Sequence, residues 1–126
     1  MSDSTTPPVL VVGAGPVGLG AALMLARHGT PVRIIDKDEA PTDLSKALVV
    51  WQRTMETFDP VLPYERFADG HPVLEGVSLG LAPGKAIPVD IPSQPGRPPA
   101  CVLIPQSATE RILLTRDREL LKRRSI

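Results

Sequence analysis

The chain has 126 residues, room for one domain near the commonest size. A hydrophobic fraction of 42% supports a core, which 3% aromatic residues make aliphatic. Lys+Arg 14 balance Asp+Glu 14, so no global charge argues for a nucleic-acid partner or an anionic membrane surface.

Cys101 is the single cysteine; it excludes an internal disulfide framework and suits a reducing cytoplasm, the expected location. Met1 to Pro8 lacks the basic and apolar regions of a signal peptide. The apolar run from Val9 to Ala26 is broken by Gly13, Gly15, Pro16, Gly18 and Gly20, which favours strand, turn and helix over a membrane span.

Pro8 to Val12 is a short valine-rich run ended by Gly13, the composition of a buried parallel strand. From Pro16 to His28, Val17, Ala21, Met24 and Leu25 recur at helical spacing, with Leu19 and Leu23 beside them. Pro16 suits a first helical turn and Gly29 the position just past a helix end. Val32 to Ile35 predicts a second strand, closed by Asp36-Lys37-Asp38-Glu39. Strand, helix and strand make a βαβ unit with a right-handed crossover.

Past Pro41, Ala47 to Trp51 predicts a strand and Arg53 to Phe58 a short helix stopped at Asp59-Pro60. Val73 to Leu81 and Ala100 to Ile104 are candidate strands. Of 15 prolines, seven lie between Pro83 and Pro105, where only short extended pieces between turns are expected. Ser107, with Glu110 three residues on, predicts a capping box opening a last helix that ends in Lys122-Arg123-Arg124.

Gly13-Ala14-Gly15-Pro16-Val17-Gly18 is GxGxxG set between a strand and a helix. Gly13 permits the tight turn, Gly15 the approach of backbone N–H groups to a pyrophosphate, and Gly18 close packing of helix on strand. The helix start adds about half a positive elementary charge. Asp36, 21 residues after Gly15, supplies the acceptor for ribose hydroxyls. Packing alone would explain Gly18 and Gly29, but not Gly13, Gly15 and Asp36 together. A carboxylate at Asp36 disfavours a 2′-phosphate; Lys37 beside it is a solvated charge or a phosphate contact. The fingerprint does not choose between FAD and NAD.

Three stretches go further: VLVVGAGPVGLGAALMLARHGTPVRIIDKDEAP from Val9 to Pro41, SKALVVWQRTMETF from Ser45 to Phe58, and LIPQSATERIL from Leu103 to Leu113. In this order and spacing the chain resembles the N-terminal part of the FAD-dependent aromatic hydroxylases, the p-hydroxybenzoate hydroxylase-like flavoprotein monooxygenases. The resemblance implies FAD as cofactor, NAD(P)H as co-substrate, and insertion of an oxygen atom from O₂ into an aromatic substrate. It also implies that Lys46, where the family has Arg, faces the pyrophosphate and that Gln106 contacts the ribityl side. Arg53 is a cofactor contact or a surface cation at a helix start.

The cofactor-binding candidates are therefore Gly13, Gly15, Pro16, Gly18, Asp36, Lys37, Lys46, Arg53 and Gln106. No catalytic acid, base, nucleophile or metal cluster is evident. The expected fold is α/β over residues 1–126: a Rossmann-like βαβ unit, an incomplete doubly wound sheet and proline-rich extended segments. Later family motifs and the substrate domain have no counterpart here, so the chain reads as a fragment that engages substrate only when completed. A dinucleotide-binding module completed by a partner chain, or a non-functional remnant, is the alternative.

Overall fold

The computed structural model describes residues 8–39 and 48–124, with side chains described through residue 120. Among the described residues it is a mixed α/β structure holding three two-stranded sheets. Its elements fall into two compact units, one formed by the two ends of the chain and one by its middle.

The first unit begins with β1 (Val9–Val12), α1 (Pro16–Arg27) and β2 (Val32–Ile35). β1 and β2 pair in parallel, Val9 opposite Val32 through Val12 opposite Ile35. A parallel pair needs a crossover, and α1 provides it. Pro16 occupies the first helical turn, where a missing N–H is harmless. His28 and Gly29 close the helix with backbone N–H bonds to Met24 and Ala26 carbonyls. Leu19, Gly20, Ala22, Leu23 and Ala26 form the buried stripe of α1.

A long helix, α4 in the numbering below (Gln106–Arg124), packs against α1. Its buried residues Thr109, Glu110, Leu113 and Asp117 recur at helical spacing and so share one face. Three of these four are polar or charged, which is unusual for a packed face.

The second unit contains β3 (Val49–Trp51), α2 (Gln52–Phe58), α3 (Glu65–Ala68), β4 (Gly76–Ala82), β5 (Lys85–Asp90) and β6 (Cys101–Leu103). β3 and β6 pair antiparallel, and Val73 bridges to Val102 on the far side of β6. Val50, Met55, Val61, Leu62, Phe67, Cys101, Val102 and Ile104 are its buried apolar residues. The Phe58 and Phe67 rings meet tilted, with centroids 6.4 Å apart. Glu56 ties α2 to the proline-rich loop through Arg97, at 3.2 Å.

Several expectations shift. Lys85–Asp90 is a strand although Pro88 lies within it. β5 is the edge of a hairpin, where a residue with no N–H is tolerated. The last helix starts at Gln106, inside which Ser107 cannot be the cap; Gln106 Nε2 donates to Glu110 Oε1 at 2.8 Å instead. Trp51 is half-exposed on β3, and His71 is half-buried with no partner for Nδ1. No helix among the described residues is long and apolar enough to cross a membrane.

Candidate functional site

The loop between β1 and α1 has the shape its glycines allow. Gly13 adopts φ +105°, a region closed to most L-residues, and its N–H donates to the Ile35 carbonyl at 2.7 Å. A Cβ on Gly18 would lie 1.9 Å from the Gly13 carbonyl oxygen and 3.3 Å from Val11 Cγ1. Only a glycine lets α1 sit this close to the loop.

Gly15 differs from both. Its φ of −76° and ψ of −178° suit any residue, and an added Cβ would have no protein atom within 4 Å. Nothing in the fold demands glycine there, whereas a ligand lying against the backbone would. Gly15 is also the N-cap of α1, no side chain caps that end, and the first turn holds no acidic residue. Helix geometry leaves first-turn N–H groups without intrahelical partners. The positive end of α1 thus carries no side-chain cap of its own.

Asp36 stands just past β2, where the carboxyl ends of both parallel strands meet. The Ala14 N–H donates to Oδ2 and the Asp38 N–H to Oδ1, the latter at 2.8 Å. These bonds, that from Asp38 first and that from Ala14 next, hold the carboxyl below its usual range; Lys37 adds a smaller pull. A carboxylate offers about four lone-pair sites, so two remain for hydroxyl donors. Val12, Gly13, Ile35, Asp36 and Lys37 line one cleft of about 490 Å³. The site therefore combines an anion-attracting helix start with a fixed, ionised acceptor, the two requirements of a phosphoribosyl group.

Gly13, Gly15, Pro16, Gly18, Asp36 and Lys37 are brought together at this end of the βαβ unit. Gln106 belongs to the same unit, its side-chain amide engaged by Glu110. Arg53 is in the second unit, where its side chain is 89% exposed and 3.7 Å from Glu56. Lys46 lies outside the described residues. The sequence reading missed the Ala14-to-Asp36 bond, for which a fingerprint ending in an acidic residue is the only signal, and the buried carboxylate of Asp117. No cluster of metal-ligating residues occurs among the described residues.

A family model described as FAD binding domain matches residues 6–121. A flavin-dependent monooxygenase from Mycobacteroides abscessus is 38% identical, over 88% of this chain and 25% of its own length. Pentachlorophenol 4-monooxygenase from Sphingobium chlorophenolicum is 32% identical, over 88% of this chain and 21% of its own. The solved structure of an anhydrotetracycline hydroxylase from Streptomyces rimosus superposes with a TM-score of 0.72 at 35% identity, covering 90% of this chain and 22% of that one. The chain thus spans a fifth to a quarter of the length of these three relatives.

Proposed function

Because the chain belongs to the FAD binding domain family, we propose that residues 1–126 form the ADP-binding portion of a monooxygenase that hydroxylates an aromatic substrate with NAD(P)H and O₂. FAD is the cofactor of this domain. In this reading β1–α1–β2 is the nucleus of a Rossmann-like, doubly wound sheet, and further polypeptide supplies the substrate domain. FAD, when bound, would supply the redox chemistry, that of hydride acceptance from NAD(P)H and of O₂ activation.

The observation that carries the reading is the open approach to Gly15 at an uncapped helix start, beside a carboxylate held ionised. Gly13 shapes the turn, and Pro16 begins the helix without an N–H to satisfy. The α1 N-terminus attracts the pyrophosphate, and Gly15 lets it reach the backbone. Asp36 accepts from the adenosine ribose hydroxyls and repels a 2′-phosphate, while Lys37 adds a positive charge at the rim. On the family pattern Lys46 is assigned to the diphosphate and Gln106 to the ribityl side, while Arg53 is a cofactor contact or a surface cation at a helix start. Lys46 brings charge without the two-pronged geometry of Arg, so its phosphate contact is looser. These residues bind and orient; none is assigned as an acid, base or nucleophile.

Calorimetric titration of the chain with ADP and with FAD tests the assignment. The parent is expected to bind both, and Gly15→Val to bind neither while keeping its helical circular dichroism. A Gly15→Val protein with parental affinity would remove the basis of the reading.

A further inference from the structure

Glu110 is a carboxylate placed where burial is costly. It is 3% exposed, on the same face of α4 as the buried Thr109, Leu113 and Asp117. A charged group taken out of water costs free energy unless it is paired. A bond between side chains four apart adds little to a helix. Stability alone would be served as well by an apolar side chain of similar length. The contact that Glu110 makes is with the first residue of α4: Gln106 Nε2 donates to its Oε1 at 2.8 Å. A carboxylate only accepts, so it takes the NH2 end of the amide and leaves the Gln106 oxygen turned away. Gln106 is half-buried, so part of its side chain still reaches the surface.

We propose that Glu110 is a positioning residue of the cofactor site, holding Gln106 so that its amide oxygen is presented to the ribityl hydroxyls of FAD. The inference rests on the function proposed above, in which Gln106 is assigned to the ribityl side. Gln106 and Glu110 belong to the compact unit that also carries Gly15 and Asp36. Each ribityl hydroxyl can donate one proton, and an amide oxygen has two lone pairs to receive them. A glutamine held by nothing loses rotamer freedom when it binds, and it can offer its NH2 end as readily as its oxygen. Glu110 fixes both the rotamer and the end presented before the cofactor arrives. Its burial leaves little water to compete for the same carboxylate oxygen.

Calorimetric titration of the 126-residue chain with FAD and with ADP tests this through the ratio of the two affinities, because ADP has no ribityl chain. Glu110→Met fills a similar volume without an acceptor. It is expected to lower the FAD-to-ADP affinity ratio about three- to tenfold, the effect of one hydrogen bond. Gln106→Ala is expected to lower the ratio by at least as much, and the double substitution by no more than Gln106→Ala alone. Glu110→Gln keeps the size but can turn either end of its own amide to Gln106, so the ratio is expected to fall part of the way. A merely structural Glu110 would weaken both ligands together; a parental ratio in Glu110→Met overturns the proposal. So does a double substitution in which the two losses add. If Glu110→Met does not fold, Glu110→Gln decides, and a parental ratio there overturns the proposal. A parent chain that binds no ADP is the failure of the function proposed above and removes this inference with it. A parent that binds ADP, with a ratio indifferent to Glu110, removes this inference alone.

Discussion

Asp36 and Asp117 are carboxylates moved in opposite directions by their surroundings. Asp36 is exposed but accepts two backbone N–H bonds, which favour its charged form. Its contribution to stability is present above its ordinary value of 3.8 and is lost as the pH falls through its lowered pKa. Asp36→Ala removes the ribose acceptor and the tie to Ala14, so ADP affinity measured by calorimetry should fall by roughly ten- to a hundredfold. Equal affinities would leave Asp36 a loop-bracing residue only. Asp117 is 4% exposed on α4, and its Oδ2 has no hydrogen-bond partner. Burial pushes its pKa up to about 7. Arg27 is the only ionisable side chain of α1, the helix packed on α4, and it is exposed. Below pH 3.8 folded and unfolded chains both hold the Asp117 proton. From there to about 7 the folded chain keeps a proton that the unfolded chain releases, so stability falls as the pH rises through this window. The loss is on the order of 4 kcal/mol in all, at about 1.4 kcal/mol per pH unit. Asp117→Asn should flatten that slope and melt higher than the parent at pH 8. Parallel slopes for the two proteins would place the effect elsewhere.

Among the elements, the junction of β1 and α1 tolerates least change. At Gly18 even a methyl group meets a backbone carbonyl, and a backbone oxygen cannot swing aside as a side-chain tip can. Gly18→Ala should destabilise the chain by about 1–3 kcal/mol through overpacking. Gly15→Ala adds the same methyl to open space and should leave the melting temperature nearly unchanged while weakening ADP binding. A Gly18→Ala protein as stable as Gly15→Ala would mean that α1 shifts freely on β1. The βαβ elements were legible because each carries its own periodicity and stop: valines ended by Gly13, a helical stripe ended by Gly29. β5 was not legible. Pro88 argues against a strand in general, and only pairing at a sheet edge makes it acceptable. The start of α4 moved for a similar reason: Ser107 and Glu110 have capping-box spacing, yet Gln106 is already helical and takes Glu110 as its own partner.

On the scale of the whole molecule, the described strands form only pairs, and apart from the segment around Val73 that bonds the outer edge of β6, no further described strand continues any of the three sheets. β1 and β2 leave Val9, Leu10, Val12 and Ile35 exposed, where a parallel sheet is ordinarily covered on both faces. In the proposed function the site offers the ADP half of FAD a turn, a helix start and a carboxylate, and the cleft beside them is lined by five described residues at the ends of β1 and β2. The 126-residue chain should accordingly bind FAD weakly, lose it on gel filtration and form no hydroxylated product from phenols with NADH. Stoichiometric FAD retained through gel filtration, followed by product formation, would show that these residues suffice.

The sequence by itself determined the glycine turn, the helix behind it, the acidic residue after the second strand and the family. Each depends on residues close together in the chain, or on a motif whose spacing is set by one strand and one helix. Only the tertiary structure decided that Asp36 is clamped by Ala14, that Asp117 is buried without a partner, and that β3 pairs with β6 rather than extending the parallel pair. These facts depend on which surfaces meet across long stretches of chain, and burial, unlike periodicity, is a property of the neighbours and not of the residue itself.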